Sequence, residues 1–196
     1  MKNRGLTLIE VLTAVAIIGM VIIAVTGFIN AGIKTSSRVN VEANLQKEAQ
    51  TGLNQVADWV MSANHGIVVY GPYGSYYDQA VCIYHDGKNS EDRYVQILFY
   101  RKADCKVYYF KNQVTSSFYG TQMDVQKVAS GLELSHNWDR NIFCQYVEDF
   151  NMDISNMAKR YVELKLVLKL EDIVYNNQQK KIMLRNEPIA NPIEYK

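Results

Sequence analysis

Residues 11–33 read VLTAVAIIGMVIIAVTGFINAGI, and no charge occurs between Glu10 and Lys34. As a helix, these twenty-three residues rise about 34 Å at roughly 1.5 Å each, enough to cross a bilayer core about 30 Å thick. Lys2 and Arg4 precede the run. The positive-inside rule therefore predicts a single-pass protein of the cytoplasmic (inner) membrane, with its N-terminus inside and the bulk of the chain outside. A secretory signal peptide would have a shorter apolar region, a small-residue cleavage site and then a change of pattern. Here the helical pattern continues past residue 33. A plain membrane anchor leaves Glu10 unexplained, because an acid at the leading edge of the apolar run gains nothing there. A charge near the bilayer centre costs about 2.5–3.5 kcal/mol, and less near the interface, so Glu10 is expected to have a partner.

From Lys34 the chain turns polar but keeps its helical period. Leu45, Ala49, Leu53, Val56 and Val60 draw one apolar stripe, while Glu42, Lys47, Glu48, Gln55 and Asp58 fall largely off it. Gly66 is a reasonable stop. The pattern predicts one helix over about 7 to 64, apolar all round in its first half and packed on a globular head in its second.

After Gly66 the texture changes to short β-rich runs at 67–70, 80–85, 94–101, 106–111 and 161–170, with a last strand at 180–185. In 161–170, Val162, Leu164, Leu166, Leu168 and Leu170 share one face, with Glu163, Lys165 and Lys169 on the other. Gly71-Pro72-Tyr73-Gly74, Asp86-Gly87-Lys88-Asn89 and Lys102-Ala103-Asp104 are turn signals. The clearest hairpin runs from Tyr94 through Lys111. The fold class expected is α+β, a long N-terminal helix packed on an antiparallel β-sheet head. The 14 tyrosines suit half-buried strands.

The formal net charge is +1, and no dense basic cluster appears (Lys180-Lys181 is only a pair), so there is no strong nucleic-acid signal. Cys82, Cys105 and Cys144 lie far apart with no CxxC, which does not fit structural zinc. They permit one disulfide plus a spare thiol, with the pairing open, and three unpaired core thiols fit as well. His65, His85 and His136 stand in separate segments and read as surface or helix-end histidines. Asp149-Phe150-Asn151-Met152-Asp153 alternates oxygen donors but lacks the glycine of a calcium loop. Ser116-Ser117 and Ser130 lack a nucleophile-elbow pattern. No metal, cofactor or enzymatic activity is expected. Tyr73, Tyr76 and Tyr77 are candidates for contact with another surface.

Gly5-Leu6-Thr7-Leu8-Ile9-Glu10 resembles the cleavage motif of type IV prepilins and pseudopilins, and Val15-Ala16-Ile17-Ile18-Gly19 matches that family's next segment in register. The resemblance covers roughly the first 30 residues closely. It implies a leader over 1–5, a transmembrane and filament-core helix over 6–33, an amphipathic half over 34–65 and a β-rich head over 66–196. It implies cleavage by prepilin peptidase between Gly5 and Leu6, with N-methylation of the Leu6 amine. The family's usual first residue is Phe, so Leu6 departs from it. The resemblance further implies that Glu10 meets the terminal amine of a neighbouring subunit during assembly, and that Ala16, Gly19 and Gly27 allow close helix packing. The partners implied are other pilin or pseudopilin subunits, the peptidase, the inner-membrane assembly platform and, before assembly, membrane lipid. Many major pilins carry proline where this chain has Gly27, which points to a minor subunit. Tyr100-Arg101, Val107-Tyr108-Tyr109, Val128-Ala129-Ser130-Gly131 and Met183-Leu184-Arg185-Asn186 resemble words of the W-type minor pilins and J-type pseudopilins. The alternative role is a tip-binding subunit, an adhesin or DNA-uptake component; an anchored extracytoplasmic enzyme lacks a catalytic constellation.

Overall fold

No proline interrupts the apolar and amphipathic stretches, and they form one continuous helix, α1 (Leu8–Ser62). The computed structural model describes residues 7–86, 93–114, 121–134 and 138–185, the side chains of 176–178 excepted. Two compact units divide the chain, Met1–Ala43 and Asn44–Lys196. In the first, every described side chain from Thr7 to Asn40 is exposed. Leu8 is 84% exposed and Phe28 81%. α1 is long and apolar enough to cross a membrane. In the second unit the predicted stripe of Leu45, Ala49, Leu53, Val56 and Val60 is buried, together with Gly52 and Ala57. The helix ends at Ser62, whose hydroxyl donates to the Trp59 carbonyl at 2.9 Å. Gly66, expected as the stop, instead opens the first strand.

Five strands follow the chain into one antiparallel sheet: β1 (Gly66–Tyr70), β2 (Gln79–His85), β3 (Tyr94–Arg101), β4 (Lys106–Gln113) and β5 (Ile142–Cys144). The hairpin expected at Tyr94–Lys111 is β3–β4, in register from Tyr94↔Gln113 to Arg101↔Lys106. A second antiparallel sheet holds β6 (Val147–Asp153), β7 (Tyr161–Leu170) and β8 (Ile173–Met183). Between β4 and β5 lie helix α2 (Gln122–Leu134) and a 3-10 turn at Trp138–Asn141.

β2 and β3 are buried at nearly every position, because both faces of the first sheet are covered. Ala80, Cys82 and Tyr84 alternate with their neighbours and meet Val95, Ile97 and Phe99 across the ladder. This face packs on Val125, Ala129 and Leu132 of α2 and on Trp138. On the opposite face, Trp59 of α1 stacks on Tyr109 at 4.6 Å between ring centroids. Within the second unit the order is therefore α1, sheet, α2. Its stretch of α1 also reaches the second sheet: a Cβ on Gly52 would touch Leu166 of β7 at 3.7 Å, as well as Cys144 of β5 at 3.8 Å. Lys180 Nζ donates to Asn54 Oδ1 at 2.8 Å. Gln79 joins the two sheets, donating from Nε2 to Asn151 Oδ1 at 2.9 Å and accepting the Met152 N–H at 3.2 Å. The fold is α+β and pilin-like, a long N-terminal helix whose second half packs against antiparallel sheets.

The last strand begins at Ile173, well before the expected 180, and it ends at Met183 with Arg185 beyond it. It pairs with β7 around a two-residue turn, Glu171-Asp172, in which Glu171 sits at φ 54. α2 was not expected. It starts with a reciprocal cap: the Asp124 N–H donates to Thr121 Oγ1 at 3.3 Å, and Asp124 Oδ2 accepts the Thr121 N–H at 3.2 Å and its hydroxyl at 2.9 Å. Thr121→Ala is expected to destabilise the head by about 1 kcal/mol, read as a lower urea midpoint at unchanged slope.

Candidate functional site

The segment singled out by sequence begins where the helix begins. Gly5 and Leu6, the expected cleavage and methylation positions, lie outside the described residues, as do Lys2 and Arg4. At Thr7 the chain enters α1 through a capping box. Glu10 Oε2 accepts the Thr7 backbone N–H at 2.8 Å and the Thr7 hydroxyl at 2.9 Å, and Thr7 Oγ1 faces the Glu10 N–H at 3.4 Å. Glu10 thus satisfies donors that a helix start leaves without intrahelical partners, and its carboxylate sits at the positive end of the helix dipole. A carboxylate offers about four lone-pair sites, so these bonds leave capacity for a further donor. The role of Thr7 was missed in the sequence, although Thr7-x-x-Glu10 ahead of an apolar run is the signature of such a box.

Beyond Glu10 the helix surface is apolar and open. Ala16 is exposed, and a Cβ on Gly19 or Gly27 would meet nothing within 4 Å. Glycine within a helix costs about 1 kcal/mol relative to alanine. Packing inside the described chain does not account for either glycine. Gly52 is the contrast, buried with side chains of both sheets around it, Leu166 from β7 and Phe143 and Cys144 from β5.

Residues 1–26 match the family model described as the prokaryotic N-terminal methylation motif. The match covers Gly5, Leu6 and Glu10 together with Ala16 and Gly19. It supports a type IV pilin-like precursor, a structural protein processed by prepilin peptidase, and the apolar helix fits a membrane-anchored pilin. No curated protein and no solved structure matches the chain.

The remaining candidates fall in the head. Cys82 and Cys144 are buried and Cys105 is exposed, all three as free thiols. Burial pushes the Cys82 thiol well up, and burial with Glu48 beside it pushes Cys144 up to about 12, so neither is a ready thiolate. Among the described residues no group of three His, Cys, Asp or Glu side chains is placed to hold a metal. The alternating acids of 149–153 lie on β6 with separate partners: Asp149 pairs with Lys165 Nζ at 2.8 Å, and Asp153 Oδ1 accepts the Ser155 N–H at 2.8 Å. Ser130 donates to the Gln126 carbonyl at 2.8 Å on α2, while Ser116-Ser117 and His136 lie outside the described residues. Tyr77 is only 2% exposed, with Tyr73 and Tyr76 stacked beside it. His85, read from sequence as a surface or helix-end histidine, is buried in β2. An open cleft of about 380 Å³ is lined by Arg101, Asp104, Lys106 and Glu133 among others. Its charges are largely paired with one another, Arg101 with Asp104 and Glu133 and Lys106 with Asp139.

Proposed function

We propose that this chain is a minor structural subunit of a type IV pilus or of a type II secretion-like pseudopilus. Prepilin peptidase cuts between Gly5 and Leu6 on the cytoplasmic side and methylates the new Leu6 amine. The small Gly5 suits an extended backbone in a protease cleft. The mature helix, from Leu6 through residue 33, lies in lipid before assembly and among sister helices afterwards, with residues 34–65 carrying the head of 66–196.

The methylation-motif match over residues 1–26, on a helix whose apolar surface is exposed all round, carries this reading. An apolar rod with every side uncovered needs lipid or other helices around it. Ala16, Gly19 and Gly27 are small at positions where the described chain has no packing use for small residues, and in membranes such residues let helix backbones approach closely. Glu10 supplies register. The Leu6 amine adds a positive charge to a helix end that is already positive, and the acid of an adjoining subunit compensates it. The contact is head-to-tail and does not close on itself, so it propagates as a helical polymer on the inner-membrane assembly platform.

Mass spectrometry of the protein from its native host tests the reading. The expected mature chain begins at Leu6 and carries one methyl group on its amine. A chain that retains Met1–Gly5 overturns it.

A further inference from the structure

The apolar run from Val11 to Ile33 carries a single side-chain amide, that of Asn30. Its hydroxyls look after themselves. Thr13 donates to the Ile9 and Glu10 carbonyls at 3.0 Å each, and Thr26 donates to the Ile22 carbonyl at 2.8 Å. Asn30 is exposed, and among the described residues its amide has no hydrogen-bond partner.

Depth decides what can satisfy that amide. The run 11–33 centres on Ile22, and Asn30 rises about 12 Å beyond it at roughly 1.5 Å per residue. Half a bilayer core is about 15 Å, so the amide lies inside the outer edge of the hydrocarbon. Its single-carbon stem is too short to carry it out, as the stem of Lys34 carries an ammonium. An amide without a partner is costly there, because nothing replaces the water it has lost.

The face on which Asn30 stands admits a close neighbour. At about 100° per residue, Ala16, Gly19, Gly27 and Asn30 fall within about 80° of arc. A Cβ on Gly19 or Gly27 would meet nothing within 4 Å. Gly27 lies one turn before Asn30, and its missing side chain clears the approach to the amide. Lys34 follows one turn later, at the water boundary, where its long stem takes the charge into water.

The chemistry of the amide also says what fits it. It holds two N–H donors and an oxygen acceptor, so a second amide complements it fully. Two copies inserted in the same orientation lie parallel, and position 30 meets position 30 in the isologous contact of a twofold pair. Asparagine at one such position fixes the register of paired helices in coiled coils.

We propose that two copies of this chain pair in parallel in the membrane before assembly, through reciprocal hydrogen bonds between their Asn30 amides, with Ala16, Gly19 and Gly27 in the contact. The pairing rests on the membrane reading of α1 and stands apart from filament assembly. It sets register at the outer end of the apolar run, opposite the end that Glu10 occupies.

The test uses the full chain in phosphatidylcholine–phosphatidylglycerol vesicles, with a donor or acceptor dye at the C-terminus. Energy transfer is read as added lipid dilutes the protein, and flotation with the vesicles checks insertion in the same samples. The wild type is expected to pair reversibly. Asn30→Leu is expected to insert at least as well and to pair roughly 3- to 30-fold more weakly, the range that interhelical hydrogen bonds reach in membranes. Asn30→Gln keeps the whole amide and stays within about threefold of the wild type. Gly27→Leu weakens pairing, and Phe28→Ala, on the far side of α1, leaves it unchanged. A chain that does not float with the vesicles overturns the membrane reading itself. A chain that floats and stays monomeric at every dilution overturns the pairing alone. So does an Asn30→Leu chain that pairs like the wild type, the outcome expected if headgroup water satisfies the amide.

Discussion

Replacing Glu10 by Leu is expected to leave the precursor cut after Gly5 while emptying sheared filaments of this chain. Leucine inserts into lipid more readily than glutamate, so membrane delivery is preserved. Under the proposed pairing of Glu10 with a neighbour's amine, assembly loses one partner of a buried pair, a loss of about 3–5 kcal/mol. That corresponds to a fall in incorporation of roughly 100-fold or more, since each 1.4 kcal/mol is about tenfold. The capping box gives a way to separate two effects of the substitution. Glu10→Leu also removes the bonds to the Thr7 N–H and hydroxyl, a cap loss of about 1 kcal/mol. Glu10→Gln retains an amide oxygen to accept from Thr7 but carries no charge. If charge pairing sets the axial register, Glu10→Gln incorporates nearly as poorly as Glu10→Leu. If only the helix start matters, it assembles like the wild type. Immunoblots of sheared and membrane fractions, with the N-terminal mass measured in parallel, distinguish these outcomes. Normal incorporation of Glu10→Leu sinks the pairing role.

The parts of this molecule that were legible in the sequence are those in which one physical demand dominates. The apolar run of 11–33 is long and unbroken by charge, the stripe from Leu45 to Val60 keeps a helical period, and both lie in α1. β3, β4 and β7 were legible for the same reason, with dense β-branched and aromatic residues and turns near at hand. The failures have local causes. β8 reads IVYNNQQKKIM, a polar strand without alternation, and its turn places Glu171 at positive φ where a glycine or asparagine would have signalled a hairpin. α2 is short, and its buried residues are mainly Val125, Ala129 and Leu132, a weak period in a 13-residue segment. Its clearest signature was Thr121-x-x-Asp124, the same kind of box that hides in the Thr7–Glu10 motif. His85 was misread because neighbours on β3 and β4 bury it, and sequence spacing alone does not show them. Its burial emerges only once the registers His85↔Tyr94 and Ile83↔Gln96 are known.

Phe99→Ala is expected to destabilise the head by about 3–5 kcal/mol, the cost of emptying a large aromatic site in a packed core. Phe99 has no exposed surface and stands where three elements meet. Its ring lies edge-on to Trp138 at 5.5 Å and 84°, and tilted against Tyr77 at 5.4 Å. The same face holds α2 against the sheet through Val125, Ala129 and Leu132. Three to five kcal/mol is a large part of the roughly 5–15 kcal/mol that domains possess, so the variant lies near its unfolding threshold. Phe28 is the control. It is 81% exposed on α1 in the first unit, and Phe28→Ala is expected to shift the head's stability by no more than about 0.5 kcal/mol. Urea titration of the full chain in micelles, followed by tryptophan fluorescence, measures both. A loss below about 1 kcal/mol in Phe99→Ala would mean that α2 and Trp138 are not held by this face. The two phenylalanines have opposite environments. One is satisfied by its own fold, and the other is left facing outward. Phe99→Ala therefore weakens the head while sparing the apolar rod, and Phe28→Ala trims the rod while sparing the head.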